Sequence, residues 1–322
     1  MGESSEFKGW EELIPDALGL IFRNLSLQDK LTVVPQVCKS WCRAVSGPYS
    51  WQEIDIEEWS KQCEPDKLER MLHLLFSWSG RAFHRLCVSG LPNDSLFSLI
   101  ADHAGSLKTL ELPRSQITDS MVEQVAPRLA GITFLDVSYC TKMGPRALEA
   151  FGQSCRSLVG LRRRMYPLAV ADKESQDEEA HAIASTMPKL RHLETAYLLL
   201  STAGVVKILS NCRELELLDL RGCWEVKLDE KVVTERYGRV KVLGPNVVDH
   251  CYERNLWEEC SDSESVYSWE TMDEEEFVLD GGSDEEDGIW DDGDGLENLE
   301  LRFYGGGPHA DAFAGFHWPP SP

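Results

Sequence analysis

Apolar positions recur along this chain with two periods, and the change from one to the other marks its organisation. Between residues 10 and 51 they fall at helical spacing. Leu18, Ile21, Phe22 and Leu25 stand at i, i+3, i+4 and i+7, which predicts a helix over about residues 15–25 with Pro15 near its start. Asp29, just after Leu27, marks a second start, and Pro35 precedes a third helix that places Val37, Trp41 and Val45 at i, i+4 and i+8. A segment of this size buries only about 60% of the surface its unfolded chain exposes. Trp10, Phe22, Trp41 and Trp51 cannot all be sheltered inside it, so a partner or the domain that follows must cover some of them.

From residue 83 the pattern becomes a repeat. An apolar-x-x-apolar unit restarts at Phe83, Leu107, Ile132, Leu158, Leu190, Leu215 and Val240, at intervals of 24, 25, 26, 32, 25 and 25 residues. It is best preserved in LKTLEL (Leu107 to Leu112), ITFLDVSYC (Ile132 to Cys140) and LELLDLRGC (Leu215 to Cys223), with the first, fourth and sixth positions apolar. In a short strand these side chains point inward while intervening ones, such as Asp136 and Asp219, look outward over a parallel sheet. The second half of each unit then returns as a helix, with Met121, Val122 and Val125, or Leu148 and Phe151, facing in. One unit cannot bury such a face, whereas a stack can. Between bundle and repeats, Ile54 to Ile56 read as a strand and about Asp66 to Ser77 as a helix, with Leu68, Met71, Leu72 and Leu75 on its inner side. This stretch is predicted to seal the first open end of the stack and to set the distance between the two modules.

The ordered set Leu13, Pro15, Ile21, Phe22, Leu25, Leu31, Val37, Cys38, Trp41 and Trp51 resembles an F-box, the adaptor-binding module of SCF-type ubiquitin ligases, over 42 residues. Two departures stand out. The proline falls one residue late, with Ile14 between it and Leu13, and Pro35 is expected to split helices two and three where the family carries an unbroken apolar residue. The repeats resemble the cysteine-containing leucine-rich repeats found behind F-boxes: Cys140 and Cys223 sit at the turn position, and Cys155 and Cys212 three residues before a repeat start. Buried free cysteine is also a common packing residue, and both readings give reduced, structural thiols. The resemblance implies an α/β chain of the kind found in plant F-box/leucine-rich-repeat proteins. Its parts would be a three-helix F-box at 8–51, a connecting and capping segment at 52–82, a short degenerate solenoid at 83–250 with parallel strands inside and helices outside, and a disordered acidic tail at 251–322. It further implies docking on a Skp-type adaptor, and through it on a cullin-RING scaffold, by Leu13, Pro15, Leu18, Ile21, Phe22, Leu25, Val37, Cys38 and Trp41. The repeats would then hold a target protein for ubiquitination.

Charge separates the last part from the rest. Residues 253–300 hold 20 Asp or Glu against one Arg, so they contribute 19 of the chain's 23 net negative charges. Their apolar content is too low to offset the entropy of ordering, although Tyr267, Trp269, Phe277 and Trp290 interleave with the acids. The segment suits transient contact with basic partners, or serves as a solubilising bristle. Ser261, Thr271 and Ser283 each have Glu three residues on, a pattern an acidophilic kinase accepts. The Gly-, Pro- and aromatic-rich end, LRFYGGGPHADAFAGFHWPPSP, reads as a short docking motif or a disordered end. An acidic repeat protein that binds histones or other basic partners is therefore the alternative from a different class; its binding would fall steeply with salt, unlike that of an apolar helix face.

The 32-residue step between Leu158 and Leu190 is the irregular one. Arg163 takes its inward sixth position, and Arg162, Arg163 and Arg164 form either a cationic spot or a set of paired surface charges. Candidate target contacts are Arg162, Arg164, His192, Asp219 and Arg221. The sequence shows no phosphate loop, dinucleotide fingerprint, H-E-x-x-H or C-x-x-C pair, so neither cofactor nor metal nor catalytic residue is expected. Cys38 and Cys42 lie one turn apart within an apolar helix, where packing accounts for them better than a metal does. A polar, acidic start without an apolar signal segment, and ten scattered cysteines, point to a reducing compartment, nucleus or cytoplasm. No membrane span and no basic aromatic groove for nucleic acid are expected.

Overall fold

The computed structural model describes residues 13–167, 175–228 and 235–246. The acidic and aromatic C-terminal segments, with their serine and threonine motifs, lie outside these, as does Trp10.

Helix α1 (Pro15–Phe22) opens on Pro15 in its first turn, with extended Ile14 as cap, a position where proline's missing N–H costs nothing. It stops three residues short of the expected Leu25, because the Asn24 amide donates to Leu20 O and Ile21 O, taking over the last carbonyls. Ser26 and Asp29 then cap each other: the Asp29 N–H donates to Ser26 Oγ (3.0 Å), and Ser26 Oγ–H donates to Asp29 Oδ2 (2.8 Å).

The second helix departs from the expected boundary. It begins as a wide π turn over Asp29–Val33, with the Val34 N–H reaching back to Asp29 O, and continues without interruption as α2 (Val34–Val37). A proline ring clashes with the carbonyl four residues back, and the widened turn gives it room, so the chain passes through Pro35 and breaks at Cys38 instead (φ −164°, ψ 168°). Val37 therefore ends α2, while Trp41 and Val45 belong to α3 (Lys39–Val45). Gly19 brings α1 against the turn at Pro48–Trp51, where an added Cβ would stand 2.8 Å from Tyr49 Cβ. Trp51 is fully buried there and its Nε1–H donates to Val45 O (2.7 Å).

Among the described residues eight strands follow in sequence order, all parallel: β1 (Glu53–Asp55), β2 (Arg85–Cys87), β3 (Thr109–Glu111), β4 (Phe134–Asp136), β5 (Gly160–Arg162), β6 (His192–Glu194), β7 (Leu217–Asp219) and β8 (Lys241–Leu243). The central residues Ile54, Leu86, Leu110, Leu135, Leu161, Leu193, Leu218 and Val242 stand in one register across the sheet. The stretch expected to bridge the modules thus supplies the sheet's first strand. It also contains a short helix that periodicity did not predict, α4 (Glu57–Lys61), besides α5 (Pro65–Ser79). The pairing of Leu218 with Val242 moves the last repeat start from Val240 to Arg239. Helices α6 (Asp94–His103), α7 (Asp119–Val125), α8 (Pro145–Ser154), α9 (Asp177–Thr186) and α10 (Thr202–Asn211) return on the other side, as in a leucine-rich-repeat-like stack.

Successive repeats are latched by acids at the helix starts. Asp94 accepts from Thr118 N–H (2.9 Å), Asp119 from Gly144 N–H (2.7 Å) and Asp177 from Ser201 N–H (2.8 Å). The buried cysteines bond from each repeat back to the previous one: Cys140, Cys155, Cys212 and Cys223 donate S–H to the carbonyls of Leu112, Leu129, Met187 and Thr195 at 3.2 to 3.5 Å. Burial pushes their thiols up to about 11 or 12.

At the sixth repeat position Val88, Leu112, Val137 and Leu220 are buried, and so is Arg163, at 1% exposure. Its Nε and Nη2 donate to the Glu179 carboxylate (both 3.0 Å), Nη1 to Cys140 O (2.9 Å) and Nη2 to Met143 O (2.6 Å). Of the two readings of the arginine run, pairing with an acid is the one Arg163 follows, but inside the stack and not at its surface. Asp136 and Asp219, expected to look outward, are buried as well, since each turns back at its strand end to accept the N–H two residues on, Ser138 (2.8 Å) and Arg221 (3.0 Å).

Candidate binding surfaces

Apolar side chains occupy more than one face of α1, and only one face can turn inward. Leu18 and Phe22 do so, with the Phe22 ring 5.0 Å from that of half-buried Trp41. Leu13, Ile21 and Leu25 stay exposed, together with Ile14 (66%), Leu20 and Val33, and Val37 is 54% exposed beyond the bend of the second helix. Pro15 is exposed and Cys38 half-buried. Of the nine predicted contact residues, Leu13, Pro15, Ile21, Leu25 and Val37 are thus on the surface. Leu18 and Phe22 are not: at 2% exposure Phe22 belongs to the core and supports the face from beneath. Ile14, Leu20 and Val33 were absent from the sequence-based set. The signal for Leu20 was an eight-residue helix with apolar residues at Leu18, Leu20, Ile21 and Phe22, too many for one stripe.

Bundle and sheet are joined through aromatic packing. The Trp51 and Trp78 rings lie 5.8 Å apart, linking the Pro48–Trp51 turn to α5, and buried Lys30 sits 4.5 Å from the Trp51 ring centroid. Burial pulls the Lys30 ammonium down to about 8, against the opposing pull of Asp55 and Glu53.

A ladder of ion pairs crosses the open face of the sheet. Arg85 bridges Asp55 (3.1 Å) and Glu111 (2.9 Å), while Arg162 lies between Glu111 (3.7 Å), Asp136 (3.7 Å) and Glu194 (2.9 Å). Burial alone would lower the Arg162 guanidinium, but Glu194, Asp136 and Glu111 outweigh it and hold it above its ordinary value. Arg164 reaches Glu194 only at 3.6 Å, and exposed His192 stands 3.8 Å from Glu216. Asp219 is enclosed and chelates the Arg221 guanidinium (2.7 Å), so this carboxylate does not face a target directly. The structure therefore brings Arg162 and Arg164 together around Glu194, with His192 on the neighbouring exposed position and Arg221 two strands on.

Among the described residues no group of His, Cys, Asp and Glu is arranged to hold a metal ion, and no helix is long and apolar enough to cross a membrane. Cys38 and Cys42 carry no disulfide.

A small helical module with an uncovered apolar face, continuous with a stack of parallel strand–helix repeats, has the build of an F-box/leucine-rich-repeat protein. Residues 15–57 match the F-box-like family model, and the chain belongs to the F-box proteins of the plant type. It is 51% identical to the F-box protein FBW2 of Arabidopsis thaliana across the full length of both chains. F-box protein SKIP19 of the same plant is 31% identical over 90% of this chain and 91% of its own. A third Arabidopsis protein, whose name assigns it both an F-box and leucine-rich repeats, is 30% identical over 75% of this chain and 54% of its own length. F-box proteins generally serve as substrate receptors of SCF ligases and are typically non-catalytic.

Proposed function

We propose that this chain is the substrate-recognition subunit of an SCF-type cullin-RING ubiquitin ligase, docking on a Skp-type adaptor through the F-box and presenting a target protein on its repeats. One observation carries the docking assignment. Of the twelve large apolar residues left exposed among those described, seven (Leu13, Ile14, Leu20, Ile21, Leu25, Val33 and Val37) fall within 25 consecutive residues of the F-box. Exposed apolar side chains concentrated in this way mark a protein interface, and the buried residues Leu18, Phe22, Leu31, Val34 and Val45 form the core of the module without them. The alternative, an acidic repeat protein acting on basic partners alone, leaves the patch without a role.

The chain performs no bond chemistry in this reading. It raises the local concentration of a target lysine near a charged conjugating enzyme. The open sheet face, with Arg162, Arg164, His192 and Arg221, supports recognition of the target, and the eight described cysteines, none of them in a disulfide, suit a reducing nucleus or cytoplasm. Co-precipitation from plant extract tests the assignment. Wild-type chain should recover a Skp-type adaptor and a cullin, and Ile21→Asp/Val37→Asp should recover neither. Equal recovery by the variant refutes the docking face.

A further inference from the structure

The turns that lead from each helix into the next strand carry a charge opposite to that of the chain. Among the described residues they run over 80–84, 104–108, 126–133, 155–159, 187–191, 212–216 and 238–240. They hold Arg81, Lys108, Arg128, Arg156, Lys189, Arg191, Arg213 and Arg239, all exposed, against Glu214 and Glu216. In a chain of net charge −23 this is a local reversal of sign. The acids that border these turns are matched: Asp102 pairs with Arg128, Glu123 with Arg146 (2.8 Å) and Glu53 with His84 (3.4 Å), and Glu235 adjoins Arg236.

Helix capping accounts for only part of this excess. Cations are favoured beside the last carbonyls of a helix, and Arg81 and Lys108 do donate to carbonyls, those of Asp102 and Gly131. Arg191 lies 3.7 Å from Glu214 and 4.0 Å from Glu216. The side chains of Arg156, Lys189, Arg213 and Arg239, by contrast, make no hydrogen bond or ion pair among the described residues. These four precede β5, β6, β7 and β8, one to each strand, so they form a row along one edge of the sheet. The repeat sets two of them alike. Arg156 and Arg213 each follow a buried cysteine that ends a helix, at φ −92°, ψ 68° and φ −88°, ψ 76°, and each backbone N–H donates two residues back at 3.2 Å.

We propose that this row, at the starts of β5 to β8, holds an acidic stretch of the target protein. The proposal rests on the reading of the chain as a receptor for a protein. Exposed cations without internal partners call for an anion, and three observations choose an extended acidic peptide over a nucleic acid. The first is length. Strands stand about 4.8 Å apart, so the three steps from β5 to β8 span about 14 Å. Three acids at alternate positions of an extended chain, at about 3.3 Å per residue, span about 13 Å. The second is composition: turns 155–159, 187–191, 212–216 and 238–240 hold no aromatic ring on which a base could stack, the feature that single-stranded nucleic acid sites share. The third is sign. Exposed Glu214 and Glu216 interrupt the row and repel a phosphate backbone, whereas a peptide can set a lysine or an amide against them. The row also adjoins the open sheet face at His192 and Leu217, the first residues of β6 and β7, so acidic stretch and sheet contacts belong to one target surface.

Fluorescence anisotropy tests it, with the full-length protein titrated into a labelled, end-capped decapeptide of alternating Glu and Ser. At physiological salt the Debye length is about 8 Å, so the probe senses the local row and not the net charge of the chain. Wild type should bind the peptide. Arg156→Glu/Arg213→Glu, at side chains that bond to no described residue, should weaken binding about tenfold or more, because two exposed attractions become repulsions. Lys142→Glu/Lys227→Glu makes the same charge change at exposed positions beyond the other ends of the strands, and should leave binding within about twofold of wild type. Equal loss in the two variants, a wild-type dissociation constant above about 1 mM, or tighter binding of a hexathymidylate of equal charge each overturn the proposal. Binding of a purified Skp-type adaptor, read on the same three proteins, should be unchanged throughout. Peptide binding confined to the row in a chain that takes up no adaptor would refute the receptor reading and leave the row's preference for acidic peptide standing.

Discussion

Arg163 and Glu179 offer a sharp test of how the repeat stack absorbs its 32-residue step. Both are buried, at 1% and 4% exposure, and Arg163 takes the repeat position that Val88, Leu112, Val137 and Leu220 fill elsewhere. Removing one member of a buried pair leaves an uncompensated charge and costs about 3–5 kcal/mol. Arg163→Met also strips Met143 O of its 2.6 Å donor, and an unsatisfied buried carbonyl costs about 1–3 kcal/mol. The single variant should therefore lose about 4 kcal/mol or more, and Glu179→Leu about 3–5 kcal/mol. Arg163→Met/Glu179→Leu removes both charges, and replacing a buried pair with apolar groups is often neutral or stabilising by about 1–4 kcal/mol. Set against the carbonyl penalty, the double variant should lie within about 2 kcal/mol of wild type and above either single variant. Urea unfolding followed by far-ultraviolet circular dichroism, comparing midpoints at constant slope, reads this directly. Losses that simply add in the double variant would refute the reasoning, because the two side chains would then be stabilising the fold separately.

Lys30→Met should stabilise the protein at pH 7, because burial holds the folded-state ammonium near 8, below its ordinary value of 10.5; the advantage over wild type should shrink as pH rises from 8 to 10.5, where the folded wild type sheds a proton that its unfolded chain keeps. A gain that persists unchanged at pH 10.5, measured by chemical unfolding, contradicts this. The four repeat thiols have the opposite sense: their folded values of about 11 and 12 lie above the unfolded value near 8.5, so the stability they contribute is intact below pH 8.5 and declines as pH climbs toward 12. A thiol reagent at pH 8 should modify Cys38 and Cys42 well before these four, and uniform reactivity would speak against their burial. Gly19→Val forces a Cβ to within 2.8 Å of Tyr49 Cβ and should cost about 1–3 kcal/mol in thermal unfolding, whereas an unchanged melting temperature means that α1 does not cross the turn so closely.

Much of this was legible in the chain because a single physical cause dominated each feature. The register of Leu86, Leu110, Leu135, Leu161, Leu193 and Leu218 follows from the apolar spacing, since only stacking hides those side chains. Arg163 could be placed inside by counting, but its neutralisation by Glu179 could not, because that partner arrives from a helix sixteen residues on. Pro35 misled because local chemistry favours a break there, and a wide π turn, invisible to a 3.6-residue period, absorbs the ring. Asp136 and Asp219 misled because alternation along a strand decides which way a side chain leaves the backbone and says nothing of the turn that folds over it. In the F-box, motif matching grouped Phe22, which is buried and holds the helix in place, with Ile21 and Val37, which stay exposed, because a motif carries no burial.

That separation is where the functional account is most directly exposed. Calorimetric titration of the full-length chain with a purified Skp-type adaptor, at 0.1 and 0.5 M salt, should give a salt-insensitive dissociation constant and a negative heat-capacity change, the marker of apolar burial. Ile21→Asp/Val37→Asp should abolish the heat while leaving the melting temperature close to that of wild type. Full-strength binding by that variant, or binding by wild type that vanishes at 0.5 M salt, would contradict docking through this face.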